Sequence, residues 1–126
     1  MATFLENASR NLLREEGTKL SNQKDEAGNP FHLTYLDTNG YLTAGHGHKL
    51  TPDDEEFGYG EGQLVSGERA SEWYSQDLQN AVSDARYRVN NFDYLSDDKK
   101  SIVTQMAYQM GGSGLGAFTN FLDELN

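Results

Sequence analysis

The chain has 126 residues, with 20 acidic against 10 basic side chains and a formal net charge of −10. That length accommodates one hydrophobic core, and the absence of cysteine excludes a disulfide framework or a thiolate metal site. The acidity repels phosphate backbones and no Lys/Arg stripe interleaves with aromatics, so no nucleic-acid partner is expected, and adhesion to an anionic cell envelope is weakened.

No apolar run approaches the ~20 residues of a membrane span, so no membrane insertion is expected. The opening MATFLENASRNLLREEG is too polar for a signal peptide. Residues 2–16 predict a helix, because Phe4, Leu5, Ala8, Leu12 and Leu13 recur near a 3.6-residue period and Gly17 is a plausible stop. Residues 18–30 are polar and end in a turn signal, which reads as an exposed loop or an extended hairpin. Two short strands are expected at about 31–37 and 41–46, joined at Thr38-Asn39-Gly40.

The join has two possible geometries. A two-residue Asn39-Gly40 turn pairs Asp37 with Leu42 and sends Asp37 and Thr43 to opposite faces. A three-residue loop with Gly40 left-handed pairs Asp37 with Tyr41, which puts Asp37, Tyr41 and Thr43 on one face. Only the second lets Asp37 and Thr43 hold one water, and it is the arrangement predicted.

Thr51-Pro52 opens a short acidic helix or turn, and residues 58–63 form a loop. Ser66 is placed as the N-cap of a long helix to about Arg88, with Ala70, Trp73, Tyr74, Leu78, Ala81 and Val82 on its buried side. Ser96 caps a third helix with acids in its first turn. The run GGSGLG at 111–116 is expected to break the chain before a last helix from about Phe118 to Leu125. It follows a helix rather than a strand, so it reads as a helix–helix turn and not as a dinucleotide fingerprint.

Glu16, Asp37 and Thr43 form the chemically suggestive set. Hydrolysis of a glycosidic bond needs one carboxyl group to protonate the leaving oxygen and a second group to hold water on the opposite face. Glu16, at the C-terminal end of a helix, sits where the dipole disfavours an anion, and partial burial there would raise its pKa toward that of a working acid. Taken singly, each residue has a plain explanation: a surface glutamate, a turn-capping aspartate, a β-branched strand residue. His46 and His48 alternate onto one strand face, but no third ligand lies at a recognisable spacing and no metal is expected. A structural role suits His48 better, with Asp77 of the long helix as its carboxylate partner. Gly45 and Gly47 allow close backbone approach.

These residues resemble the pattern of the phage-type lysozymes, the T-even phage lysozyme group of glycoside hydrolases: Glu16-Gly17 at a helix end, the turn Asp37-Thr38-Asn39-Gly40, Thr43, and Gly45-His46-Gly47-His48. Residues 66–82 resemble the long helix joining that family's two lobes, and the stretch from Met106, MAYQMGGSGLGAFTNFL, resembles its buried central helix and following turn. The resemblance covers roughly residues 3–124. It implies an α+β, lysozyme-like fold in a single domain, with an N-terminal helix and hairpin lobe (1–65) and a linking helix and shortened helical lobe (66–126).

The same resemblance implies a muramidase that cuts the β-1,4 bond between N-acetylmuramic acid and N-acetylglucosamine with inversion and without a cofactor. Glu16 would be the acid, and Asp37 with Thr43 would position water. Tyr108, Lys49 and Gln109 would line the glycan groove, Lys49 at a position where an apolar residue is usual. His48 and Asp77 would form the structural pair. The protein would act as a phage endolysin released from the host cytoplasm through a holin-type pore, or from a virion, on peptidoglycan strands. The alternative is a lysozyme-like structural or wall-binding component of a phage particle that has lost activity.

Two departures from the family pattern stand out. The segment between Glu16 and Asp37 is about a dozen residues longer than in compact members, and the family's further C-terminal helices are missing after Asn126. Ile102, Val103, Met106 and Met110 are then expected to lie uncovered, to be met by a phage protein partner or by self-association.

Overall fold

The computed structural model describes residues 3–15 and 18–116, with side chains described at 3–14 and 18–110. Glu16 and Gly17 lie outside the described residues, as does the helix expected at 118–125. The elements in chain order are α1 (Phe4–Glu15), β1 (Leu20–Lys24), β2 (Pro30–Leu33), β3 (Tyr35–Leu36), β4 (Leu42–Ala44), β5 (His48–Lys49), β6 (Leu64–Val65), α2 (Gly67–Arg88) and α3 (Asp97–Gly116). Short 3-10 turns cover Glu55–Gly58 and Phe92–Tyr94. Helices and two small antiparallel sheets make this an α+β protein, and no described helix is long and apolar enough to cross a membrane.

Two compact units divide the chain: Met1–Glu15 with Gln76–Asn126, and Glu16–Ser75. The boundary falls inside α2, whose first half belongs to one unit and whose second half belongs to the other. In the helical unit α1 packs against α3, whereas the sequence reading groups α1 with the hairpins. The core of this unit joins Ala81, Ala85, Val89, Phe92, Val103 and Ala107, with Phe4 edge-on to Phe92 at 5.8 Å. Ala8 and Leu12, four residues apart, are fully buried, as a helix with one apolar stripe requires.

The second unit holds both sheets. In one, β2 lies between β1 and β6; in the other, β4 lies between β3 and β5. Of the two readings of residues 18–30, the hairpin is the one formed: β1 pairs with β2, and the turn is closed by Asp25 Oδ1 accepting from the Asn29 N–H at 2.8 Å. Thr34, between β2 and β3, ties the two sheets to the 60–63 loop. Its buried hydroxyl donates to the Gly60 carbonyl at 2.6 Å and accepts from the Gln63 N–H at 2.8 Å. Beneath the sheets Ala44, Leu50, Val65 and Trp73 form the unit's core.

Both helix caps read from the sequence are present. Ser66 Oγ accepts from the Arg69 N–H at 3.0 Å, and Ser96 Oγ accepts from the Lys99 N–H at 3.3 Å. On α2, Ala70, Trp73 and Ala81 are buried, while Tyr74, Leu78 and Val82 are half-buried.

Two expectations are corrected. The glycine-rich run does not break the chain, because α3 continues to Gly116. Each glycine costs a helix roughly 1 kcal/mol relative to Ala without forbidding helical backbone, so propagation from Asp97 carries the helix through. Val103 is not uncovered either: it is fully buried in the helical core, and Met106 packs against that core, leaving Ile102 and Met110 exposed. Thr104, beside Val103, has a buried hydroxyl with no hydrogen-bond partner among the described residues, a desolvation cost of about 1–3 kcal/mol.

Candidate functional site

The hairpin β3–β4 is built around Asp37. The register pairs Tyr35 with Thr43 and Leu36 with Leu42, so Asp37 faces Tyr41 across a three-residue loop of Thr38, Asn39 and Gly40. Gly40 has φ +83°, the left-handed conformation that closes such a loop and that residues with a Cβ disfavour. The Asp37 N–H donates to the Tyr41 carbonyl and its carbonyl accepts from the Gly40 N–H, both at 2.9 Å. Its side-chain Oδ1 accepts from the Asn39 and Tyr41 N–H groups, again at 2.9 Å.

The carboxylate is therefore fixed by its own turn, with both of these contacts on one oxygen. Cross-strand pairing places Tyr35, Asp37, Tyr41 and Thr43 on one face, as expected for the longer loop. Thr43 is buried, and its hydroxyl donates to the Tyr41 carbonyl at 2.9 Å, which leaves the oxygen's lone pairs to accept from a partner. Lys49 lies opposite Thr43 on β5 with its ammonium 4.9 Å from the centre of the Tyr41 ring.

Behind this hairpin is a polar knot centred on Asp54. Its Oδ2 accepts from His48 Nε2 at 3.0 Å and from the Thr51 N–H at 2.9 Å, and its Oδ1 accepts from Trp73 Nε1 at 3.2 Å. The His48 ring stacks on Trp73 with centroids 4.6 Å apart and planes inclined by 11°. The Arg69 guanidinium also lies over Trp73, 4.6 Å from its ring, and reaches Glu56 through Nε at 3.0 Å. Burial opposes the charge on Asp54, but the hydrogen bonds from Thr51, His48 and Trp73 outweigh it and hold the carboxyl below its ordinary value.

Asp54 is the partner of His48 that sequence reasoning missed. A local signal existed: in the turn Thr51-Pro52-Asp53-Asp54 the fourth residue's carboxylate reaches back to the first residue's N–H, the short-range side-chain bond that aspartate favours in turns. Asp77, the partner expected from the resemblance, is a half-buried residue of the helical unit, and its pairing with His48 stays a proposal. Gly45, at φ +65°, lets the hairpin press on α2; a Cβ there would meet Ala70 Cβ at 3.2 Å and Ala70 Cα at 3.3 Å.

His46 does not share the surroundings of His48. Its ring packs edge-on to His32 at 5.3 Å and to Tyr74 at 5.4 Å. His32 is buried and shares a hydrogen bond with Thr18 Oγ1 at 3.0 Å. Among the described residues no group of three or more His, Cys, Asp or Glu side chains is placed to hold a metal ion.

Burial, and for His32 the neighbouring His46, lowers the pKa of both imidazoles below the ordinary 6.5. Below about pH 6.5 the unfolded chain then binds more protons than the folded one, so stability is complete above that pH and is lost as pH falls through the folded values. The Asp54 contribution persists to lower pH and is lost only as pH falls below about 4. The denaturation midpoint is expected to fall between about pH 6.5 and 5 in the parent and to fall less in His46→Gln. An identical slope in both proteins would remove the histidine pair from the explanation.

Tyr108 packs against the helical core and Gln109 is exposed on α3, both in the helical unit. Glu16, the candidate acid, lies outside the described residues. The structure thus gathers Asp37, Thr43 and Lys49 on one sheet. A separate hollow of about 510 Å³ is lined by Asp53, Glu55, Glu56, Tyr59 and Arg69 among others. The candidate site is placed on the hairpin, where Asp37 and Thr43 share one face. No family model matches the chain.

Proposed function

We propose that this protein is a lysozyme-like muramidase of phage origin, hydrolysing the β-1,4 bond between N-acetylmuramic acid and N-acetylglucosamine in peptidoglycan. The observation that carries the reading is the Asp37–Tyr41 loop. It is the variant that puts Asp37 and Thr43 on one face, and its Asp37 carboxylate is held by two backbone N–H groups. The order of motifs along the sequence supports the same reading.

In the proposed reaction the Glu16 carboxyl protonates the glycosidic oxygen as the bond to the anomeric carbon breaks. Water donates one hydrogen bond to Asp37 and one to Thr43 Oγ1, attacks from the opposite face and gives its proton to Asp37. The product has inverted configuration, and the two carboxyl groups return to their starting states by proton exchange with solvent. Acid, carboxylate and water suffice, so the mechanism calls on no cofactor. The protein would meet the wall either as an endolysin passing a holin-type pore or as part of a virion.

The test is digestion of purified peptidoglycan, reduction of the new ends with borohydride and mass spectrometry of the fragments. Muramitol ends are expected. Reduced glucosamine ends would give a different glycosidase. No new ends from folded protein that still sediments with the wall would favour the non-catalytic wall-binding reading.

A further inference from the structure

The face that carries Asp37 and Thr43 also carries a cation. Lys49 pairs with Thr43 across β4 and β5, so its side chain leaves the sheet on the side of Tyr35, Asp37 and Tyr41. Its ammonium lies 4.9 Å from the centre of the Tyr41 ring, within cation–π range. Among the described residues the ion pairs are made by His48, Arg69 and Arg86, and none by Lys49. In a chain with twice as many acidic as basic side chains, this exposed cation is thus held by an aromatic face and paired with no carboxylate.

We propose that Lys49, steadied by Tyr41, is a carboxylate-recognition point on the glycan side of the hairpin; the inference rests on the muramidase reading and names a feature of the substrate it selects. Peptidoglycan is a polyanion. Each muramic acid carries a lactyl group that ends in a carboxylate or is extended by a stem peptide that ends in one. Asp37 must be an anion to take a proton from water, and it repels such a substrate where the substrate must bind. The overall charge of −10 acts weakly at a distance, because physiological salt screens beyond about 8 Å. A cation on the same face offsets the repulsion locally and fixes which substituent lies beside the reacting sugar. Tyr41 limits the ammonium's wandering and leaves its N–H donors to the ligand.

The test compares the parent, Lys49→Met and Lys49→Arg on four soluble ligands. These are peptide-free glycan strands with free lactyl carboxylates, strands bearing stem peptides, and both kinds after their carboxyls are converted to amides. Dissociation constants from calorimetry are the first readout, because they need no turnover, and KM and kcat are the second. Lys49→Met is expected to weaken binding and raise KM about three- to fivefold on the carboxylate ligands. Lys49→Arg should retain most of the affinity, and amidation should abolish the difference between the variants.

A loss already present on peptide-free strands assigns the lactyl carboxylate, and a loss confined to peptide-bearing strands assigns the stem peptide. Equal affinities of parent and Lys49→Met on every carboxylate ligand would overturn the inference. So would a loss that survives amidation, which would be a packing effect on Tyr41. Carboxylate-dependent binding without hydrolysis would retain the inference about Lys49 and discard the muramidase.

Discussion

Asp37→Asn is expected to lower kcat for peptidoglycan hydrolysis by about 10²- to 10⁴-fold, the usual contribution of a positioned acid or base. The substitution isolates chemistry from structure. The side-chain oxygen of Asn can still accept from the Asn39 and Tyr41 N–H groups that Asp37 Oδ1 now binds, so the three-residue loop keeps its closure. What disappears is the negative charge that would take the proton of the attacking water. The denaturation midpoint should therefore change little while the rate collapses. A variant that retains parental turnover would show that Asp37 is only a turn residue.

Asp54→Ala carries the largest expected effect on stability, about 3 kcal/mol in chemical denaturation. Three donors lose their acceptor at once: His48 Nε2, the Thr51 N–H and Trp73 Nε1. Trp73 is a core residue beside Ala44, Leu50 and Val65, so its indole N–H is left where water reaches it poorly. The stacked imidazole of His48 loses the group that orients it. Asp54→Asn keeps an acceptor for Trp73 or Thr51 and should cost less. A loss below about 1 kcal/mol in Asp54→Ala would mean that the knot is solvated and that its bonds are replaced by water.

The parts of this fold that were legible in the sequence are those set by local chemistry. The loop at Thr38-Asn39-Gly40 follows from one glycine able to take positive φ and from the register that a shared Asp37–Thr43 face demands. The caps at Ser66 and Ser96 follow from hydroxyls ahead of apolar-periodic runs. Tertiary terms decided the rest. Residues 18–30 have no apolar alternation, and their hairpin forms because β2 is paired on its other edge by the distant β6. Packing onto Phe92 and Ala107 buries Val103, and helix propagation carries α3 past its first glycines.

The candidate site divides in the same way. Asp37 and Thr43 were legible from spacing, and the face they share is the one the register forms. The Asp54 knot depends on Trp73 and Arg69 arriving from α2, and only its Thr51 contact was readable locally.

Release of new reducing ends from purified peptidoglycan, measured for the parent and for Glu16→Gln, separates a muramidase with Glu16 as its acid from a wall-binding protein. Glutamine keeps the shape of the side chain and removes the proton it would donate. Release by the parent and a loss of at least about 10²-fold in the variant are expected. Equal release by both would contradict the assignment of Glu16 as the acid, and no release by either, from folded protein, would contradict the muramidase itself.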